Sequence, residues 1–262
     1  SGRTISLAGP AVVFIYVVIG FFLFFMMRAM GELLLSNLRY KTFADFAADL
    51  IGPWAGFFVG WSYWFCWIVT AIAELVAITG YVQFWWAAVP LWLPTVLVVL
   101  IVFLLNAVSV KNFGEMEFWF ALIKIVAILA LIVVGAVMAL THFTSPDGHV
   151  AQVSNLWNDG GWFPNGAMGV VAGFQIAVFA FVGVELVGTT AAEARDPRTT
   201  LPRAINSVPL RILIFYVGSL LAILVVTPWR SIDPEQSPFV AMFSLAGLGA
   251  AASVVNIVVL TS

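Results

Sequence analysis

Long stretches of this sequence carry no charge at all, and they recur. Thr4–Met27, Leu50–Ala73, Leu91–Val110 and Pro238–Ser262 contain no Asp, Glu, Lys or Arg. Phe118–Leu140 contains one charge, Lys124, and Gly169–Thr190 contains one, Glu185. Ile212–Val226 is the apolar core of a further run, and the second run continues past Glu74 to about Trp85. A helix needs about 20 apolar residues to cross the hydrocarbon core of a bilayer. Lipid leaves backbone groups no partner but each other, so only helices and closed barrels span it. These runs have the helix length, and the expectation is an all-α polytopic membrane protein with about seven transmembrane helices and no soluble domain. Composition agrees: the chain is 63% hydrophobic and 9% charged, too little charge to cover a soluble surface.

Several function classes fall away at this level. The net charge is −2 and the basic residues are scattered through short loops, so no nucleic-acid partner is expected. The single cysteine, Cys66, excludes an intramolecular disulfide and a cysteine-based zinc site. His142 and His149 share one polar loop without metal-ligand companions, so no metal is expected. GxxxxGK[ST] does not occur, and no span holds a histidine or paired aspartates. The chain therefore reads as neither an enzyme nor a cofactor protein. A channel would need polar pore-lining stripes and a filter loop, and no such loop is present. A cleavable signal peptide is not expected here either, because the run after Arg3 is too long for an h-region and no A-x-A site closes it.

The loops supply an orientation. Arg28, Arg39, Lys41, Lys111, Arg195, Arg198, Arg203 and Arg211 fall on one side, and only Arg3 and Arg230 on the other. The positive-inside rule then puts the N-terminus outside and the C-terminus in the cytoplasm. An outside start without a signal peptide or an initiator Met leads to the expectation of a fragment. At least one upstream helix and a downstream part would be missing. Between spans, Phe43, Phe46 and Leu50 recur at helical spacing before Pro53, which suits a short helix at the cytoplasmic interface. Residues 143–166 have the Gly, Pro, Asn and Asp content of an ordered, turn-rich outer connection. DPRTTLPRAI reads as a turn, a short helix and another turn, and Ser237-Pro238 as a helix start. Trp85, Trp86, Trp92, Trp157, Trp162 and Trp229 fall near the outer boundary, as an aromatic belt would.

The residues that could carry chemistry are polar groups at membrane depth. Glu185 stands in GVVAGFQIAVFAFVGVELVGTT, where a carboxylate costs roughly 2.5–3.5 kcal/mol and usually faces a bundle interior or a wet cavity. Glycines beside it, Gly183 above all, suit a broken helix, and freed backbone groups are tolerated only where they line a cavity. Glu185 reads either as a gating or proton-linked acid or as a brace for the freed amides. Lys124, near the start of its run, can snorkel toward the cytoplasm or stay buried and exchange a proton. Glu74, about two-thirds along the second run, faces either the cavity or the outer interface. Thr70 lies one turn earlier on the same face, as a pocket hydroxyl or as a back-bond to its own helix.

Four segments together resemble a known family. They are AGPAVVFIYVVIGFFLFFMMRAMGEL, GPWAGFFVGWSYWFCWIVTAIAELVAITGYVQFW, EMEFWFALIKIVAILALIVVG and FAFVGVELVGTTAAEARDPRTTLPRAI. They are spread from Ala8 to Ile205 and are similar to bacterial amino-acid permeases of the amino acid–polyamine–organocation superfamily. The resemblance implies a LeuT-like five-plus-five inverted-repeat fold of twelve helices, of which residues 1–262 would be one permease domain supplying helices two to eight. It implies a secondary transporter in the cytoplasmic membrane, importing small neutral amino acids such as D-serine, D-alanine and glycine, by proton symport. Protons and the lipid bilayer are then its other partners. A member with another substrate, or a channel, is the alternative. The resemblance also implies a break at Phe181-Val182-Gly183 that holds substrate, with Phe179 or Phe181 closing over it. Thr70 and Glu74 stay pocket candidates by their own placement in the second run. Lys124 would stand in for a sodium ion, and Glu185 would serve coupling or gating.

Overall fold

The computed structural model describes residues 2–40, 42–108, 110–146, 148–187, 196–234, 237–245, 253, 256 and 257. Lys41, Arg195 and most of the last apolar run, all used above, lie outside these. Every element of the described residues is helical, apart from one isolated bridge between Thr144 and Val150. By length and composition, four helical stretches can cross a bilayer: Ala11–Ser36, Pro53–Gln83, Ala121–Leu140 and Pro197–Val226. Trp92–Leu104 and Gly166–Phe181 are shorter apolar helices. The seven expected runs are therefore not seven uniform rods. The fifth ends early because it breaks, and of the seventh only Pro238–Leu245 is a described helix.

The chain forms two compact units. The first comprises Ser1–Lys41 and Ile128–Ala252, the second Thr42–Ala127 and Ser253–Ser262.

In the first unit, α1 (Gly2–Ala8) and α2 (Ala11–Ser36) are separated at Gly9-Pro10, so the first apolar run is bent where the sequence suggested a single span. Pro10 lacks the N–H that would continue the ladder. Gly9 has φ +60°, and a Cβ there would lie 2.5 Å from Pro164 Cγ, so both backbone and space require glycine. The small residues let backbones approach, as helix contacts in lipid need. On α7 (Gly166–Ala177), a Cβ at Gly169 would meet the Leu7 carbonyl at 2.7 Å. One at Gly173 would meet Ile15 Cδ1 at 2.7 Å and Ala8 Cβ at 2.8 Å. Asn165 Nδ2 donates to the Leu7 carbonyl at 2.8 Å, satisfying an acceptor near the α1 end.

DPRTTLPRAI is not a turn, short helix and turn. It belongs to α8 (Pro197–Arg211), which runs without interruption through a π-helical segment, Ile212–Gly218, into α9 (Ser219–Val226). Pro197 begins the helix, where no N–H is needed. Pro202 and Pro209 lie inside it. What holds it helical is packing: Leu201, Ile205 and Val208 are buried, and Gly31 of α2 leaves room for Ile205 and Leu201. The Gly135 position in α6 (Val110–Leu140) likewise accommodates Ala222 of α9.

The outer connection is ordered by side chains that cap α9. Asn155 is buried, and its Nδ2 donates to the carbonyls of Val225 at 2.8 Å and Val150 at 3.0 Å. Gln152 N donates to the same Val225 carbonyl at 3.0 Å. Trp229 does not join a lipid-facing belt. It is buried, donates from Nε1 to the Asp159 carbonyl at 2.9 Å, and lies under the Arg230 guanidinium, which pairs with Asp159 Oδ1 at 2.9 Å. α10 (Pro238–Leu245) starts at the proline the sequence marked.

In the second unit, the short helix appears as expected: α3, Phe43–Leu50. A reciprocal cap starts it. Thr42 N donates to Asp45 Oδ2 at 2.9 Å, and Asp45 N to Thr42 Oγ1 at 3.3 Å. α3 packs closely on α4 (Pro53–Gln83), where Gly56 lets the Ala44 carbonyl and Ala48 approach. Further along α4, the buried Thr79 hydroxyl donates to the Leu75 carbonyl at 3.1 Å and lies 3.3 Å from Thr95 Oγ1 of α5 (Trp92–Val108). Asn256 Nδ2 donates to the Tyr81 carbonyl at 2.9 Å.

Candidate functional site

The first unit contains a helix interrupted within its apolar run. α7 ends at Ala177 and tightens into a 3-10 turn, Val178–Phe181. Val182 is extended, with φ −61° and ψ 135°, and Gly183 has φ +92°. That positive φ suits glycine and is an outlier for a bulky residue. The chain then turns through Val184 and Glu185, with Leu186 N donating to the Gly183 carbonyl at 3.0 Å.

A break frees amides and carbonyls that water would otherwise satisfy, and in lipid they need partners from the protein. Two are supplied by side chains. Glu185 Oε2 accepts from Gly183 N at 3.0 Å. The Tyr216 hydroxyl, from the π-helical segment, donates to the Ala180 carbonyl at 2.9 Å. Three rings pack around the second contact. Phe181 stacks on Tyr216 at 5.0 Å between centroids and 27°, Tyr216 on Tyr16 of α2 at 5.6 Å and 30°, and Tyr16 meets Phe181 at 5.5 Å and 47°.

The two aromatic candidates of this segment have different surroundings. Phe181 is 6% exposed within the ring stack, whereas Phe179 is 70% exposed. Tyr16 and Tyr216 were missed by sequence reasoning. The signal was there: a tyrosine in an apolar run must find a partner for its hydroxyl.

Thr70, Glu74 and Lys124 belong to the second unit, and the break to the first. Thr70 Oγ1 donates back to the Cys66 carbonyl at 2.9 Å, the ordinary arrangement for a threonine within a helix. Its oxygen keeps acceptor capacity. Glu74 lies within electrostatic range of both Lys124 and Tyr81. The described residues hold no group of three or more histidines, cysteines or carboxylates placed to bind a metal.

Several apolar helices of membrane length, beside a shorter apolar helix that breaks with an acid just past the break, define a polytopic membrane protein. The family model described as amino acid permease matches residues 1–262, and the chain belongs to that family. It is 65% identical over 262 residues to the D-serine/D-alanine/glycine transporter of Escherichia coli (strain K12), covering all of this chain and 56% of that protein. It is 52% identical to the amino-acid permease AapA of Bacillus subtilis (strain 168), again over all of this chain and 56% of the relative. The DL-alanine permease of Lactococcus lactis subsp. cremoris is 42% identical, with 57% of its length covered. The chain thus spans somewhat more than half the length of these relatives.

Proposed function

We propose that this chain is part of a secondary active transporter that imports small neutral amino acids, glycine, D-alanine and D-serine among them, with protons across the cytoplasmic membrane. Residues 1–262 act as a single permease domain within it. The observation that carries the reading is the broken helix at Val182–Gly183, because backbone groups freed at membrane depth are how carriers of this kind hold a zwitterion. A 65% identity to a protein named for those three substrates supports the choice among amino acids.

The substrate lies against the break at Phe181-Val182-Gly183, whose Gly183 amide is held by Glu185, and Phe179 or Phe181 closes over it. In the second unit, Thr70 and Glu74 serve as substrate-binding residues, with Glu74 for the ammonium. Lys124 takes the place of a coupling cation. Glu185 couples or gates through the turn it braces. The Gly183 N–H held at 3.0 Å favours the brace as at least one part of its role.

The test is uptake by the full-length protein in membrane vesicles. Labelled D-serine should enter under an imposed proton gradient without sodium, and glycine and D-alanine should compete. Efficient competition by arginine or phenylalanine, with none by glycine, would reject the small-neutral reading.

A further inference from the structure

The ring stack and the bond beneath it assign a role to a residue outside the proposed site. We infer that Tyr216 is a positioning residue for substrate binding: its hydroxyl holds the Ala180 carbonyl and so fixes the backbone of the break before substrate arrives. This rests on the reading that the break is the substrate site.

The placement of the hydroxyl is unusual for a polar group in an apolar helix. Such groups commonly bond back to their own helix, as Thr70 does to Cys66 and Ser219 does to Phe215. Tyr216 reaches instead to a carbonyl 36 residues away in sequence, in the 3-10 turn that leads into the break. The ring has little freedom to point elsewhere, since it is stacked on Phe181 and Tyr16. Its backbone lies in the π-helical stretch Ile212–Gly218, a rare geometry often found at functional sites. Just upstream, Pro209 lacks an N–H for the helix ladder. Ser219 Oγ accompanies this departure by donating to the carbonyls of Phe215 and Tyr216.

The break is therefore pinned on both sides by different elements. Tyr216 holds Ala180 before it, and Glu185 holds Gly183 after it. The intervening Phe181 and Val182 are left with a defined path, and binding need not order them. Preorganisation of this kind acts on affinity. Loss of the bond should accordingly weaken substrate binding while leaving turnover, once substrate is bound, little changed.

The experiment compares the full-length permease with its Tyr216→Phe variant, which keeps the ring stack and removes the donor. Uptake of labelled glycine is measured in vesicles, with the amount of protein and its melting temperature in detergent measured alongside. The expected result is near-parental amount and melting temperature, KM raised about tenfold and Vmax within about twofold, the scale of one lost hydrogen bond. Tyr16→Phe, which keeps the same stack and leaves the Ala180 bond in place, should raise KM less. An unchanged KM in Tyr216→Phe overturns the inference. So does failure of that variant to reach the membrane, which would make the bond a determinant of folding, and so does an equal rise in Tyr16→Phe. The parent protein tests the substrate reading separately. If it carries a different amino acid, that reading fails and the KM comparison is made with the amino acid it carries. A parent that carries none rejects both.

Discussion

Replacing Glu185 separates bracing from coupling, because the side chain holds the Gly183 amide and also carries a titratable group. Its Oε2 accepts from Gly183 N at 3.0 Å, and that amide belongs to a residue at φ +92° that cannot rejoin a regular helix unchanged. Glu185→Gln keeps a carbonyl oxygen at the same reach. It exchanges a charge-assisted bond of about 1.5–3 kcal/mol for a neutral one of about 0.5–1.5 kcal/mol, a loss of about 1 kcal/mol. Glu185→Ala leaves the N–H without that acceptor, at about 1–3 kcal/mol, more than the Gln change by up to about 2 kcal/mol. If the turn positions substrate, substrate counterflow, which needs binding and alternation but no net proton movement, should fall about fivefold in the Gln variant and further in the Ala variant. Melting temperature should follow the same order. Accumulation driven by a proton gradient reads the charge instead: a coupling acid loses it in both variants, whereas a pure brace retains most of it in Gln. Parental stability and counterflow in Glu185→Ala would refute the argument, since the amide would then need no acceptor.

Lys124→Ala should abolish accumulation of substrate against its gradient while counterflow and expression persist, and parental uptake should respond to pH and not to sodium. Normal accumulation with an unchanged pH profile would reduce Lys124 to a snorkelling residue. In a Cys66→Ala background, an impermeant maleimide applied to intact cells should label Ser231→Cys and spare Ser36→Cys and Thr199→Cys; outside labelling at position 199 would reverse the orientation read from the basic loops. Gly173→Val should lower stability by about 1–3 kcal/mol, because its side chain would enter space held by Ile15 and Ala8. The measurement is detergent unfolding, and an unchanged midpoint would show that α1 and α7 are not in close contact.

What could be read in advance was whatever local chemistry dictated. The α3 helix announced itself through Phe43, Phe46 and Leu50, and its Thr42–Asp45 cap is a matter of four consecutive residues. Pro238 marked a helix start for the same reason. Gly183 and Glu185 pointed to an interruption because neither suits an unbroken apolar helix in lipid. α8 was misread because Pro202 is a local stop signal, while Leu201 and Ile205 packing beside Gly31 is a tertiary fact. The bend at Gly9-Pro10 was read through for the opposite reason: uniform hydropathy hid a turn at Gly9, which has φ +60° and lies against Pro164. Tyr216 escaped notice because its partner lies 36 residues away, and no spacing rule reaches that far.

The π-helical stretch sets the phase between the two halves of the rod that contains it. Each residue advances an α-helix by about 100°, so a segment with wider turns shifts the azimuth of everything beyond it. Upstream, Leu201 and Ile205 are directed at Gly31 of α2, and downstream Ala222 is directed at Gly135 of α6. Those two contacts lie on opposite sides of the Ile212–Gly218 stretch, which changes the phase between them. A family member with one residue fewer in this stretch would have α9 rotated by about 100°, and its small residues would have to sit at correspondingly displaced positions. The length of this segment, as well as the Tyr216 side chain it carries, thus bears on how the helix meets its neighbours.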